Sequence, residues 1–321
     1  MKAAPFVSVV LATYNRRKIL EECLDSLFNQ TYPQDKYEVI VVNDSSTDNT
    51  IEFLSDYSKK QPRLKFFTQK NQGPYIAKNL GIKNALGEII CFTGDDCIAE
   101  KNWIENLVKK YTDESIGGVG GVIASYPPKT LAERYCYVAD PFNQEKMSKV
   151  YLMTGNASYT RKALDEVGGF DTFFRYAGDC DMGLMVNLRG YRLEYAADAV
   201  VYHKHGETFR SIFKQKIRYG KGYTRMNKKY LKNFYLMRRL PYFVRSFIKG
   251  SILLIPMTVK SMFVKDRKFY LTKRYLDVFL MIPYVGGMIA ESLMKEEYPG
   301  KRIYQKLDFI AKANIGSNWG D

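Results

Sequence analysis

Histidine is almost missing from this chain: its 321 residues hold two, His203 and His205, so imidazole chemistry can come from one segment only. The five cysteines (Cys23, Cys91, Cys97, Cys136, Cys180) form an odd set without a C-x-x-C pair. That excludes a disulfide framework and fits reduced thiols in a cytosolic protein. No G-x-G-x-x-G follows the first apolar segment, and no G-x-x-x-x-G-K-[ST] occurs at all. Dinucleotide oxidoreductases and P-loop enzymes therefore lose their main support. Met1 leads into a strand-like segment without a charged, apolar leader, so a signal peptide is not expected. Uncharged apolar runs are short too. Tyr242 to Val264 is broken by Arg245, Lys249 and Lys260, and Val278 to Ala290 contains Pro283 and Gly286-Gly287. Both fall below the roughly 20 residues a spanning helix needs.

What is present is enough apolar and aromatic residue (46% and 14%) to build a sizeable core and exclude disorder. The net charge of +15 is unevenly spread. Residues 1–203 hold 24 Lys and Arg against 26 Asp and Glu, whereas residues 204–321 hold 25 against 8. Basicity belongs to the last third alone, so the two parts are expected to do different work.

The acidic part alternates strand and helix. Phe6–Ala12, Tyr37–Val42, Leu64–Thr68 and Glu88–Phe92 read as strands. Arg16–Phe28 has helical spacing at Ile19, Leu20, Cys23, Leu24 and Leu27; Asp48–Lys59, capped by Ser46 or Thr47, and Ile76–Ala85 read as further helices. Such alternation implies right-handed β-α-β units and a mainly parallel sheet, with ligands beyond the strands' carboxyl ends. Thr13-Tyr14-Asn15, Asn43-Asp44-Ser45-Ser46 and Gly94-Asp95-Asp96-Cys97 each follow a strand and should share that edge. The first two also read as ordinary turn and cap sequences. Asp95-Asp96 is sharper, because adjacent carboxylates repel unless a positive charge lies between them. A divalent ion bridging phosphates supplies that charge, and Mg²⁺ or Mn²⁺ suits such a donor set. A solvated acidic turn is the plainer reading.

The ordered series VSVVLATYNR, VIVVNDSSTDNT, NQGPYIAKNLGI, GEIICFTGDDCIAEKNWIE, GNASYTRKALDEVGGFD, GDCDMGLMVNLRGY and AVVYHKHGETF resembles the family 2 glycosyltransferases of GT-A fold over about residues 6–225. The resemblance implies a Rossmann-like mixed, mainly parallel α/β sheet flanked by helices. Residues 1–225 would form the catalytic domain, with a nucleotide-sugar half over about 1–100 and an acceptor half over about 101–225. Residues 226–321 would form a basic amphipathic helical extension. It implies that Thr13, Asn15 and Asp44 line the base and ribose pocket, with Lys78 and Asn79 near the nucleotide. Asp95 would contact sugar or ribose, and Asp96 would bind Mn²⁺ or Mg²⁺ with His203. Asp179 would be the general base, with Asp181 as fallback, and Trp103, Gly155 and Asn156 would touch acceptor or donor sugar. Two positions depart from the family pattern: Gly94 and Gly178 stand where it carries acids.

The implied reaction moves a sugar, with inversion, from a UDP- or GDP-sugar to a hydroxyl. Alternatives are transfer to a polyprenyl phosphate and non-catalytic sugar-nucleotide binding. From Phe209 to Arg239, basic residues interleave with aromatic ones, which suits an anionic bilayer surface, although core helices with a solvated basic face would read alike. A lipid-linked or nascent glycan acceptor at the inner face of the cell membrane is therefore expected. No nucleic-acid module accompanies the charge, so no nucleic-acid partner is expected.

Overall fold

Mostly apolar segments rich in β-branched residues make the parallel strands, and the computed structural model arranges them as the alternation predicts. It describes residues 4–139, 143–230, 236–261, 266–294 and 298–299. The chain divides into two compact units, residues 1–127 with 139–205 and residues 128–138 with 206–321.

The first unit runs β1 (Val7–Thr13), α1 (Arg17–Phe28), β2 (Tyr37–Asn43), α2 (Thr50–Lys60), β3 (Leu64–Thr68), α3 (Pro74–Asn84), β4 (Ile89–Thr93), β5 (Cys97–Ala99), α4 (Trp103–Val108) and β6 (Ile116–Ser125). After α5 (Leu131–Ala139), which belongs to the second unit, it continues with α6 (Gln144–Met147), β7 (Asn156–Thr160), α7 (Arg161–Val167), α8 (Gly178–Leu188) and β8 (Arg192–His203). The second unit adds α9 (Phe209–Tyr230), α10 (Leu236–Ser261), α11 (Arg267–Phe279) and α12 (Met281–Leu293).

The eight strands form one mixed sheet in the order β3-β2-β1-β4-β7-β6-β8-β5. β3, β2, β1 and β4 are parallel, in a register that sets Thr13 beside Asn43 and Asn43 beside Thr68. β7 runs antiparallel to both β4 and β6. β8 is parallel to β6 and antiparallel to β5. Val7, Val9 and Leu11 of β1 and Val39 and Val41 of β2 pack against Leu20, Cys23, Leu24 and Leu27 of α1. Each such side chain stabilises the fold by roughly 1.5–3 kcal/mol. This packing fixes the strand ends from which the site loops leave.

One local expectation changes. α2 starts at Thr50 after a left-handed Asn49, with no cap from Ser46 or Thr47. The Thr47 N–H donates instead to Asn15 Oδ1 at 2.7 Å, a tertiary bond that replaces the local cap. β8 covers 12 residues, paired with β6 from Arg192 to His203 and, at its end, also with β5. α8 begins at Gly178, so Asp179 and Asp181 both lie in its first turn.

In the second unit α12 packs along α9 at glycines. A Cβ on Gly287 would lie 2.1 Å from the Ile217 carbonyl oxygen, and one on Gly220 would lie 1.9 Å from that of Tyr284. Arg225 of α9 pairs with buried Glu291 of α12 at 2.7 Å. α9 passes unbroken through residue 225, where the sequence suggests a boundary. α11 and α12 follow end to end as a 27-residue stretch, Arg267–Leu293, long and apolar enough by length and composition to cross a membrane. The expectation that the second apolar run is too short therefore does not hold, since the helix extends beyond its uncharged residues. The remainder of the expected extension, from residue 300 onward, lies outside the described residues.

Candidate active site

The parallel strands deliver three loops to one edge. Asp44, one residue past β2, donates its backbone N–H to the Thr13 carbonyl at 2.9 Å and so ties the first two loops together. Its carboxylate is buried and fully engaged. Oδ1 accepts from Gln69 Nε2 at 2.8 Å and from the Gln72 N–H at 2.9 Å, and Oδ2 accepts from the Gly73 N–H at 2.9 Å. Asn15, held left-handed (φ 54°), bridges the same loops through the Ser46 hydroxyl and the Thr47 N–H.

At the end of β4 the acid pair has found a cation of its own. Arg16 Nη1 donates to Asp95 Oδ1 at 3.1 Å and also to Asp96 Oδ2. His203 Nε2 lies 3.5 Å from Asp96 Oδ2. The antiparallel pairing of Cys97 with His203, and a bond from the Lys204 N–H to the Asp96 carbonyl at 2.8 Å, bring them together. Burial pushes Asp95 above the usual carboxylate range; Arg16 opposes this and the charge of Asp96 adds to it. Burial also acts on Asp96, but His203 and Arg16 together outweigh it and hold that carboxyl well below the usual range. His205 faces elsewhere: its Nε2 is 2.7 Å from Ser125 Oγ, and its ring meets His203 edge-on at 4.8 Å.

Gly94 has a steric reason. A Cβ there would lie 2.5 Å from Asp96 Oδ1 and 3.2 Å from Cys97 Sγ. An acid at this position would displace the carboxylate that pairs with Arg16 and His203.

Lys78 is buried and donates to Thr154 Oγ1 at 2.8 Å. Burial lowers its pKa, while the fields of Asp179, Asp95 and Asp96 partly restore it. Asn79 is spent on the backbone: it donates to the Phe170 carbonyl at 2.7 Å and accepts the Phe170 N–H at 2.8 Å. Asp179 is half-buried in the first turn of α8, where the helix N-terminus favours an anion, and Asp181 is buried beneath it. Trp103 is fully buried, and its indole donates to Asn156 Oδ1 at 2.8 Å. Asn156 in turn donates to the carbonyls of Val122 and Ala199. The Trp103 and Asn156 side chains are both fully buried, and Asn156 stands opposite Thr93 in the pairing of β4 with β7.

The structure thus brings Thr13, Asn15, Asp44, Asp95, Asp96 and His203 to one edge. Arg16 and Tyr75, whose hydroxyl meets Asp179, are additions the sequence reading did not make. Arg16 stands inside the TYNR motif, and a lone arginine after a turn carries no signal of the acids it will meet. A metal suits the donor set on chemical grounds, because carboxylate oxygens and one imidazole face the same space. Among the described residues no group of three or more His, Cys, Asp or Glu forms a complete cage, so substrate oxygens would have to complete the coordination.

Comparison with known proteins agrees with this geometry. The glycosyl transferase family 2 model matches residues 8–179, and that of glycosyl transferase family group 2 matches residues 134–290. The glycosyltransferase AglE of Haloferax volcanii is 32% identical over 222 residues, covering 68% of this chain and 73% of that protein. A dolichyl N-acetyl-alpha-D-glucosaminyl phosphate 3-beta-D-2,3-diacetamido-2,3-dideoxy-beta-D-glucuronosyltransferase of Methanococcus voltae is 27% identical over 230 residues, covering 67% and 72%. The mannosyltransferase PcManGT from Pyrobaculum calidifontis, solved in complex with GDP-Man and Mn²⁺, superposes with a TM-score of 0.68 at 21% identity over 92% of this chain and 89% of its own. The chain belongs to glycosyl transferase family 2 and is a glycosyltransferase of GT-A fold.

Proposed function

We propose that the chain transfers a glycosyl group, with inversion and with a divalent ion, from a nucleoside-diphosphate sugar to a hydroxyl of a lipid-linked or glycan acceptor at a membrane surface. The observation that carries this reading is the pair of buried Asp95 and half-buried Asp96 at the carboxyl edge, with His203 Nε2 3.5 Å from Asp96. In support, the Pyrobaculum neighbour was solved with GDP-Man and Mn²⁺, and the Methanococcus relative is named for a dolichyl phosphate-linked acceptor.

In this reading Thr13, Asn15 and the Asp44 loop hold the base and ribose, and Asp96 and His203 hold Mn²⁺ or Mg²⁺. The bound ion would supply positive charge at the diphosphate oxygens. Asp95 orients the sugar or ribose, and Lys78 adds fixed positive potential between the diphosphate and the acceptor. Asp179 takes the acceptor hydroxyl proton while that oxygen attacks the anomeric carbon from the face opposite the diphosphate. A single displacement of this kind inverts the anomeric centre. Asp179 is favoured over Asp181 because it is the one with solvent access.

The membrane part of the reading rests on α10. Val244, Ile248, Ile252 and Ile255 are exposed at helical spacing, with exposed Arg245 and Lys249 among them. An apolar stripe with cations on its flank suits the interface of an anionic bilayer, here the inner face of the cell membrane.

Calorimetric titration of GDP and of UDP with Mn²⁺ tests the site. Asp96→Ala is expected to abolish the metal-dependent part of nucleotide binding, and unchanged affinity for both nucleotides would refute the assignment.

A further inference from the structure

Gly178 stands where the resembling family carries an acid, immediately before Asp179. The space an added side chain would enter is already filled. A Cβ on Gly178 would lie 2.8 Å from Cδ2 and Cε2 of Tyr75 and 2.9 Å from its Cγ, inside van der Waals contact. Tyr75 is buried in the first turn of α3, just after Pro74. Phe170 (ring centroids 5.4 Å apart) and the Lys78 ammonium, 5.4 Å from the Tyr75 ring centroid, hold it in place. The start of its helix is set by Asp44, which accepts the N–H of Gly73, a residue at φ +99°.

The Tyr75 hydroxyl donates to Asp179 Oδ1 at 3.2 Å, and the Cys180 N–H donates to the same oxygen at 3.1 Å. Among the described residues, no hydrogen-bond donor meets Oδ2. One oxygen is held by two donors and the other is left open, which is the division a carboxylate base requires.

We propose that Tyr75 is a positioning residue for Asp179. Its phenol sets the carboxylate rotamer so that Oδ2 is presented to the acceptor, and Gly178 is the vacancy that admits its ring. This rests on the reading of Asp179 as general base. In the step, the acceptor proton passes to Oδ2 and the acceptor oxygen forms the new bond to the anomeric carbon. The bond from that carbon to the diphosphate oxygen breaks, and its electron pair leaves with the nucleoside diphosphate. Tyr75 gains and loses no proton.

Tyr75→Phe keeps the ring and removes the donor. With the UDP- or GDP-sugar that the unmodified chain turns over fastest in a panel containing Mn²⁺, kcat is expected to fall about tenfold, a part of the roughly 10²–10⁴-fold that a general base contributes. Donor KM, nucleotide affinity and melting temperature should stay as they are. Added to Asp179→Asn, the same change should cost nothing more, because the carboxylate it orients is gone. Unchanged kcat in Tyr75→Phe, or losses that multiply in the double variant, would overturn the positioning role while leaving the base reading intact. Full turnover by Asp179→Asn would overturn both. Without any substrate, a crystal structure of Tyr75→Phe should show the Asp179 carboxylate in a new rotamer, and an unmoved carboxylate counts against the proposal.

Discussion

Arg16 carries the electrostatics of the acid pair. Its guanidinium meets both carboxylates of the acid pair, and their charges raise its own pKa further, Asp95 contributing most. A planar, permanently charged fork of this kind is the protein's own substitute for a cation between two carboxylates. Arg16→Gln would leave two adjacent carboxylates, one buried and one half-buried, with a neutral side chain in place of the guanidinium. The variant is therefore expected to melt lower than the unmodified chain in EDTA, by a few degrees for the roughly 1–3 kcal/mol such an unpaired charge costs. It should also gain more from added MnCl₂, since the ion no longer competes with the guanidinium. A thermal shift in MnCl₂ equal to that of the unmodified chain would contradict this. Of the residues in the acid cluster, Asp95, Asp96 and His203 were legible in the sequence because each stands beside a strand end. Arg16 was not, because nothing in TYNRR states which acids lie across the edge.

At the scale of elements, α9 shows how a basic sequence hides a buried charge. Lys216 looks like one more cation in the run from Phe209 to Arg239, yet it is buried in the second unit. Burial pushes its ammonium down to about 8 from 10.5, with Cys136 and Asp277 pulling it part of the way back. Below pH 8 the group is charged in the folded and the unfolded chain alike, and the cost of burying it is fully present. Between pH 8 and 10.5 the unfolded chain keeps a proton that the folded one gives up, so Lys216 contributes a stability that rises with pH there. The rise from this group is bounded at about 3 kcal/mol. Lys216→Met is expected to be more stable than the unmodified chain at pH 7, with the gap narrowing by pH 9.5. Urea midpoints of the two proteins at these values check it, and a gap that widens with pH would be the opposite sign. The interleaving of basic and aromatic residues marked this segment but not which of its lysines points inward, because three-dimensional packing chooses that face.

At the scale of the whole molecule, α10 and α12 differ in what they could offer a membrane. α10 offers an exposed apolar stripe, whereas α12 turns Gly287 and Glu291 toward α9. A helix committed to an ion pair and a close backbone contact within its own unit is a poor candidate to face lipid, despite its length and composition. The chain is therefore expected to bind vesicles containing anionic lipid peripherally: pelleting should weaken at high salt, and carbonate at high pH should release the protein. Ile248→Asp combined with Ile252→Asp should cut pelleting at least several-fold, from lost apolar burial and added like charge toward the lipid. Retention after carbonate extraction would favour a spanning α11–α12 stretch instead.

By itself the sequence determined the alternation of strands and helices, the loops at the carboxyl edge, the family and the split between an acidic and a basic part. All of these follow from local periodicity, from residues adjacent in the chain, or from composition. Only the tertiary structure decided who stands next to whom. β8 returns antiparallel to β5 and lays His203 beside Asp96, while Arg16 reaches the acid pair across 79 residues of chain. Trp103 and Asn156 spend their polarity on each other in the interior, and the Tyr75 ring fills the space at Gly178. Such contacts depend on register, crossover and the volume left by neighbouring side chains, none of which is encoded within a local window of sequence.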